Sequence, residues 1–322
     1  TVRFNVRTGS GKPQDPPKIG RGAKFRCLVC DEIAPDQHIK DEGMAGRMGG
    51  QLMAIVTEGQ NRRNYYAPTP EHEAIARQAQ PTWQPSGELA NDARAIWCKL
   101  YGLTDFADLF TPRQLVALTT FSDLVSEARE QVRADALAAG LPDDDTPLRE
   151  GGSGARAYAE AVSVYLGMTV SRQTNRLSTI CFWDTSGEKV QQVFARQAIP
   201  MNWDYTEANP FSTSSGNFIG QLEYLAKVVE ISVDGIPGVV RQHDATKPLN
   251  NSNALIFATD PPYYDNIGYA DLSDYFYVWL RQALTDVYPD VFSTLLTPKD
   301  PELIASPYRH GGDSNKAVNH FE

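Results

Sequence analysis

The stretch that decides the fold is ALIFATDPPYYDNIGYADLSDYFYVWLRQAL, residues 254–284. An apolar run reaches Asp260, meets two prolines at Pro261 and Pro262, passes Tyr263 and opens an aromatic-rich segment at helical spacing. Prolines directly after a strand remove two backbone donors and leave little for ordinary sheet pairing. The segment therefore reads as a buried strand ending at Asp260, a rigid extended turn, and a helix carrying Leu272, Tyr275, Phe276, Trp279 and Leu280 on one side. Those aromatics are expected to pack a core. Asp265 and Asn266, just past the turn, suit either contact with a ligand or a helix cap.

Upstream, SSGNFIGQLEYLAKVVEIS reads as a helix with Ile219, Leu222, Leu225, Ala226 and Val229 on one face. GVVRQHDATKPL then reads as a strand ending in Asp244. Helix, strand, crossover, strand and helix are the local pattern of an α/β sheet, which binds ligands at the carboxyl ends of its strands. Asp244 and Asp260 both fall at such ends. A carboxylate and a main-chain carbonyl facing one crevice would offer two acceptors to an exocyclic amino group, which carries two N–H bonds. Such an amine is a poor nucleophile because its lone pair is delocalised into the ring. Holding both hydrogens favours a pyramidal nitrogen and gives the released proton a destination. Tyr263 supplies a flat face for an extruded base.

Toward the middle of the chain, PTPEHEAIARQAQP has Thr69 as an N-cap, Pro70 in the first helical turn and Pro81 as its stop. In FTPRQLVALTTFSDLVSEAREQVRADALAAGLP, Thr111 caps and Pro112 opens a long amphipathic helix. Its apolar positions are Leu115, Leu118, Leu124, Val125, Ala128 and Val132, and Gly140 with Pro142 ends it. GLPDDDTPLREGGSG reads as a flexible connection before a further helix over about residues 154–170.

Residues 1–68 mix Gly, Pro and basic side chains with short β-like pieces, VRFNVRT and QLMAIVTEG. Glycines in DEGMAGRMGGQLMAIV follow no buried strand, so they read as turns and close packing rather than a phosphate cradle. Arg3, Arg7, Lys12, Lys18, Arg21, Lys24 and Arg26 face a single acid, Asp15, in residues 1–26. Either a solvated arm or a phosphate-contacting arm accounts for them. Cys27 and Cys30 in FRCLVCDE have the spacing of half a zinc knuckle, and His38 is the nearest further candidate ligand. Cys98 and Cys181 sit among apolar neighbours as buried thiols.

Across all 322 residues, 41% hydrophobic and 22% charged side chains describe an ordinary globular chain, long enough for about two domains. A formal net charge of −10 argues against indiscriminate coating of nucleic acid, though not against a local basic groove. Four cysteines suit a reducing compartment, and no apolar run approaches the ~20 residues of a membrane span. A cytoplasmic location without a membrane partner is expected.

The tetrapeptide DPPY after an apolar strand resembles the catalytic motif of amino-group DNA methyltransferases. Together with GRMGGQLMAIV, PTPEHEAIA, LFTPRQLVALTTFSDLV, FARQAIPMNWDYTEANPFSTSSGNF and TDPPYYDNIGYADLSDYFYVWL, the chain resembles the large adenine-specific DNA methylases that contain a zinc ribbon. That resemblance implies part of a Rossmann-like, S-adenosylmethionine-dependent α/β methyltransferase sheet (212–322), a largely helical insertion (69–211) and a loop-rich, zinc-ribbon-like unit (1–68). It implies catalysis by Asp260, Pro261, Pro262 and Tyr263, donor contacts from Asp244 and Asp260, and zinc ligation by Cys27 and Cys30. DNA is the implied partner and adenine N6 the implied target, in a restriction or phage-defence setting. The alternatives are cytosine N4, an RNA adenine, or a nucleic-acid-binding module with an idle site. A glycine-rich donor loop of the Phe-x-Gly-x-Gly type in a strand-loop-helix context is missing, as is the family's other cysteine pair. The chain is accordingly expected to be one part of a longer or split methyltransferase polypeptide, binding donor weakly by itself.

Overall fold

The computed structural model describes residues 2–60, 62–232, 238, 240, 247, 256–260 and 263–322. The chain starts with a small loop-rich unit in which β1 (Phe25–Arg26) and β2 (Ile33–Ala34) pair around the Cys27–Cys30 turn, followed by α1 (Asp36–Met44). QLMAIVTEG supplies β3 (Ile55–Gly59), which forms an antiparallel hairpin with β4 (Arg62–Tyr66). VRFNVRT forms no strand. Gly43 explains part of the glycine content here: a Cβ on it would lie 2.3 Å from the Tyr101 carbonyl oxygen.

Thr69 caps α2 (Pro70–Ala76) through a capping box with His72. The helix stops at Ala76, short of Pro81. Thr111 does the same for α3 (Pro112–Ala138), exchanging hydrogen bonds with Gln114. The α3 C-terminus closes by a Schellman motif: Gly140 adopts φ +92°, its N–H bonds Leu137 O at 3.0 Å, and Leu141 N–H bonds Ala136 O at 3.0 Å. Leu115, Leu118, Ser122 and Val125 form its buried face, while Leu124 points outward. The expected face was thus rotated at one position, because residue 122, four after Leu118, holds the inner side that Leu124 cannot reach.

The connection after α3 is pinned and not a free linker. Arg133 meets Asp145 at 2.8 Å, Arg156 donates to Asp145 O at 2.7 Å, and Leu148 N–H donates to Glu160 at 2.7 Å. Gly152 is there for close approach: a Cβ would sit 2.0 Å from Thr146 O. The helix that follows, α4 (Ala155–Thr174), packs against α3 and against α5 (Phe218–Ser232). Between α4 and α5 lies a short hairpin of β5 (Trp183–Asp184) and β6 (Lys189–Val190). On α5 the inward side is Phe218, Gln221, Leu222, Leu225 and Val229, whereas Ile219 and Ala226 are exposed.

The last long helix, α6 (Tyr269–Leu284), crosses α4 and α3, with Gly167 of α4 letting Leu284 approach. Its aromatic face enters the main core, as the spacing indicated. Tyr275 and Trp279 are fully buried beside Phe110, whose ring stacks on Tyr275 at 5.9 Å and meets Trp279 edge-on at 5.2 Å. Tyr275 keeps its hydroxyl satisfied by donating to Thr174 O at 2.7 Å. Leu89, Ile96, Cys98, Leu118, Ile180, Cys181 and Ile199 complete this core, each fully buried or nearly so and each worth roughly 1.5–3 kcal/mol where the side chain is large. The chain closes with α7 (Ser314–Phe321), capped by Asp313.

Helices and small sheets therefore mix, but among the described residues the sheets are three two-stranded antiparallel hairpins, with no parallel sheet. The strand expected to end in Asp244 lies outside the described residues. Of the strand expected to end in Asp260, residues 256–260 are described and take no strand pairing, with Ile256 100% and Phe257 71% exposed. The correction has a simple cause. A strand is held by N–H and C=O partners on a neighbour, and residues 256–260 make no backbone hydrogen bond to another described residue. No helix among the described residues is long and apolar enough to cross a membrane.

Candidate active site

Asp260 and Tyr263, three residues apart on either side of Pro261 and Pro262, line one open cleft of about 330 Å³. The two prolines and Asp244 lie outside the described residues. Tyr264, Ile267 and Tyr269 continue the wall, and Glu302, Leu303 and Ile304 close it from a segment some forty positions downstream. The volume falls at the lower end of what ligand sites use.

Local bonding fixes the turn that carries these side chains. Asn266 N–H bonds Tyr263 O at 3.0 Å, and Arg94 donates to Asp265 O at 2.6 Å while also reaching Ser306 Oγ at 2.9 Å and Asp92. Asp265 is thus a tether to residues 92–94. It does not cap α6, whose N-cap is Gly268 with no side-chain bond. Tyr264 adopts φ +54°, a left-handed conformation that a bulky residue holds only when its surroundings demand it. Here Ala305 N–H bonds Tyr264 O at 2.9 Å and the ring meets Phe321 edge-on at 5.1 Å. Strain of this kind concentrates at functional sites.

The rear of the cleft is an ionic network. Glu302 accepts the Ala270 N–H at 3.1 Å, so a distant carboxylate satisfies the first turn of α6 in place of a local cap. Its other oxygen meets Arg309 Nη2 at 2.7 Å, and the same nitrogen meets Asp271 at 2.7 Å. Tyr308 also donates to Asp271. Burial pushes the Asp271 carboxyl up, against the pull of Arg309, which is the balance expected of an enclosed pair.

Neither Tyr264, Tyr269 nor Glu302 was singled out in the sequence. Tyr264 is contiguous with the motif, yet its backbone conformation leaves no trace in residue identity. Glu302 joins by tertiary contact alone.

In the N-terminal unit Cys27 and Cys30 are both exposed. Backbone N–H groups of Cys30 and Val29, with the Cys30 side chain, hold the Cys27 thiol below its usual pKa, the Val29 bond being 3.5 Å. Amides aimed at a sulfur suit a thiolate metal ligand, so the pair fits half of a zinc site. Among the described residues no group of three or more His, Cys, Asp or Glu side chains is placed to hold a metal, and His38 does not complete one. Cys98 and Cys181 are buried, as expected, and burial raises both thiols, Cys98 to about 12.

Compared with protein-family models, with curated proteins and with solved structures, the chain finds no match.

Proposed function

We propose that this chain carries the catalytic face of an S-adenosylmethionine-dependent DNA methyltransferase acting on the N6 amino group of adenine. The observation that carries the reading is the position of Asp260 and Tyr263, the first and last residues of the DPPY tetrapeptide, on the wall of the same cleft. Asp260 accepts one amino hydrogen of an extruded base and the carbonyl following it in the chain accepts the other, which localises the nitrogen lone pair for attack. The proton lost on alkylation passes to the Asp260 carboxylate. Tyr263, 55% exposed, offers its ring for stacking. S-adenosylmethionine supplies the methyl group. Of the two residues the resemblance gives to the donor, Asp260 lines the cleft and Asp244 lies outside the described residues.

Three glycines of the glycine-rich stretches are closed to a donor. Gly152 and Gly154 pack against Thr146 and Pro142 carbonyls, and Gly43 against Tyr101, so each is occupied by its own chain. Completion of a Rossmann-like sheet, including a partner for 256–260, belongs to the remaining part of a longer or split polypeptide in this reading. DNA contact is supported by the exposed cationic side chains of the N-terminal arm, Arg3, Arg7, Lys18, Arg21 and Lys24.

The test is nucleoside mass spectrometry of DNA incubated with labelled donor. N6-methyladenine supports the proposal, N4-methylcytosine moves the target to cytosine, and an unlabelled product in every condition removes the enzymatic reading.

A further inference from the structure

We propose that Arg196, stacked on the Trp97 ring, is a backbone-phosphate contact for DNA on the surface that joins the N-terminal arm to the cleft. The choice of DNA as the polyanion rests on the methyltransferase reading; the phosphate contact rests on the surface itself.

Four cations among the described residues stand over aromatic rings. Lys40 over Tyr101 is neutralised by Asp36, and Arg309 over Tyr308 by Asp271 and Glu302. Arg196 over Trp97, at 4.9 Å, and Arg172 over Tyr224, at 4.5 Å, pair with no carboxylate among the described residues. Residues 93–104 and 189–203, which bring Trp97 and Arg196 together, contain no Asp or Glu in a chain that has 40 of them, so neither segment supplies Arg196 with a counter-charge. Arg94 and Lys99 are already taken up by Asp92 and Glu88, at 3.1 and 3.9 Å. Arg196 is exposed, and its guanidinium bonds no other described residue. A ring beneath a guanidinium holds it by its face and leaves the in-plane N–H donors open. Phosphate oxygens are recognised through that edge.

Printed contacts run from Trp97 in both directions. Its N–H donates to Ile199 O at 3.0 Å and Ile199 N–H donates to Ala95 O at 2.7 Å, which fixes the two segments side by side. Toward the cleft, the Trp97 indole N–H donates to Arg94 O at 3.0 Å, and the Arg94 side chain bonds Asp265 O and Ser306 Oγ. Toward the arm, Trp203 meets Phe25 edge-on at 5.0 Å and Tyr101 at 5.1 Å. Phe25 bridges to Lys18, at the start of the loop that carries Arg21 and Lys24. The unneutralised charge of Arg196 therefore falls on a continuous line of contacts from the cationic arm to the cleft. Phosphates of a DNA held at both ends of that line would meet it.

Fluorescence anisotropy of a labelled DNA duplex, titrated with the chain at a series of salt concentrations, tests the contact. Arg196→Ala should weaken binding alike on unrelated sequences and lower the slope of log affinity against log salt by about one, the loss of one phosphate contact. Arg196→Lys should keep the slope, because the charge is preserved. Arg172→Ala removes the same charge from the same kind of stack, at the crossing of α4 and α5, and should leave the slope as it was. Thermal unfolding of Arg196→Ala should match the wild-type chain, since the side chain is exposed and unbonded.

An absence of DNA binding at low salt, an unchanged slope in Arg196→Ala, an equal loss in Arg172→Ala, or tighter binding of RNA of the same sequence overturns the proposal. Methyl transfer is scored separately on the same duplex. Binding that depends on Arg196 without transfer strikes the methyltransferase reading and leaves this contact standing, whereas transfer with a salt slope blind to Arg196 does the reverse.

Discussion

Cys27 and Cys98 show how far surroundings govern one functional group. Amide and thiol hydrogen bonds stabilise the exposed Cys27 thiolate, while burial holds Cys98 as a thiol up to about 12. A disulfide reagent at neutral pH is therefore expected to modify Cys27 and Cys30 within the mixing time of a bench assay and to reach Cys98 and Cys181 only after unfolding. Mass mapping of labelled peptides checks this, and fast labelling of Cys98 in the native chain would contradict it. The buried character of Cys98 and Cys181 was legible from apolar neighbours. The lowered pKa of Cys27 was not, since it comes from the path of the turn and not from residue type. At the cleft the contrast is similar: Asp260 and Tyr263 stand out because prolines after an apolar run are unusual, whereas Glu302 carries no local mark at all.

Among the elements, α3 and the loop after it separate what local sequence determines from what packing determines. Caps are local, so Thr111 with Gln114 and the left-handed Gly140 could be read directly. Side-chain direction is less so. Leu118 is fully buried and Leu124 is 44% exposed, although both looked apolar and periodic. Leu118→Ala is expected to cost about 2–5 kcal/mol in denaturant unfolding, and Leu124→Ala less than about 0.5 kcal/mol. Equal costs would mean that the helix face has been assigned wrongly. Gly152 was read as linker flexibility because a glycine run gives no hint that a carbonyl lies against it. Its Cβ position is occupied by Thr146 O, so Gly152→Ala should destabilise by about 1–3 kcal/mol in the same assay. A neutral outcome would restore the flexible-linker reading.

For the whole molecule, the mixture of helices and strands, and the aromatic core built by α6, follow from periodicity; the three small antiparallel sheets do not, since an α/β sheet was expected in their place. The strand before Asp260 does not, because pairing needs a neighbour and apolar composition alone cannot provide one. Asp36 is one of several joins between the N-terminal unit and the rest: it accepts the buried Ala23 N–H at 2.8 Å, pairs with Lys40 and receives the Tyr101 hydroxyl at 3.3 Å. The bond with Lys40 and then the Ala23 amide hold this carboxyl below its ordinary value of 3.8. A carboxyl lowered in the folded state stabilises it above the unfolded value, and that contribution is lost as pH falls through the folded value. Acidification below about pH 4 should therefore release residues 17–26 from α1 and Tyr101 before the helical core melts. Amide exchange at Ala23 should rise over that range in the wild-type chain and already be fast at neutral pH in Asp36→Asn.

The most direct measurement of what the cleft lined by Asp260 and Tyr263 does is the methylated-nucleoside content of DNA after incubation with labelled S-adenosylmethionine, comparing the chain with its Asp260→Ala form. Labelled N6-methyladenine from the first and none from the second, at unchanged DNA affinity, is the expected result. Equal labelling by both forms would show that the carboxylate at the mouth of this cleft takes no part in the chemistry.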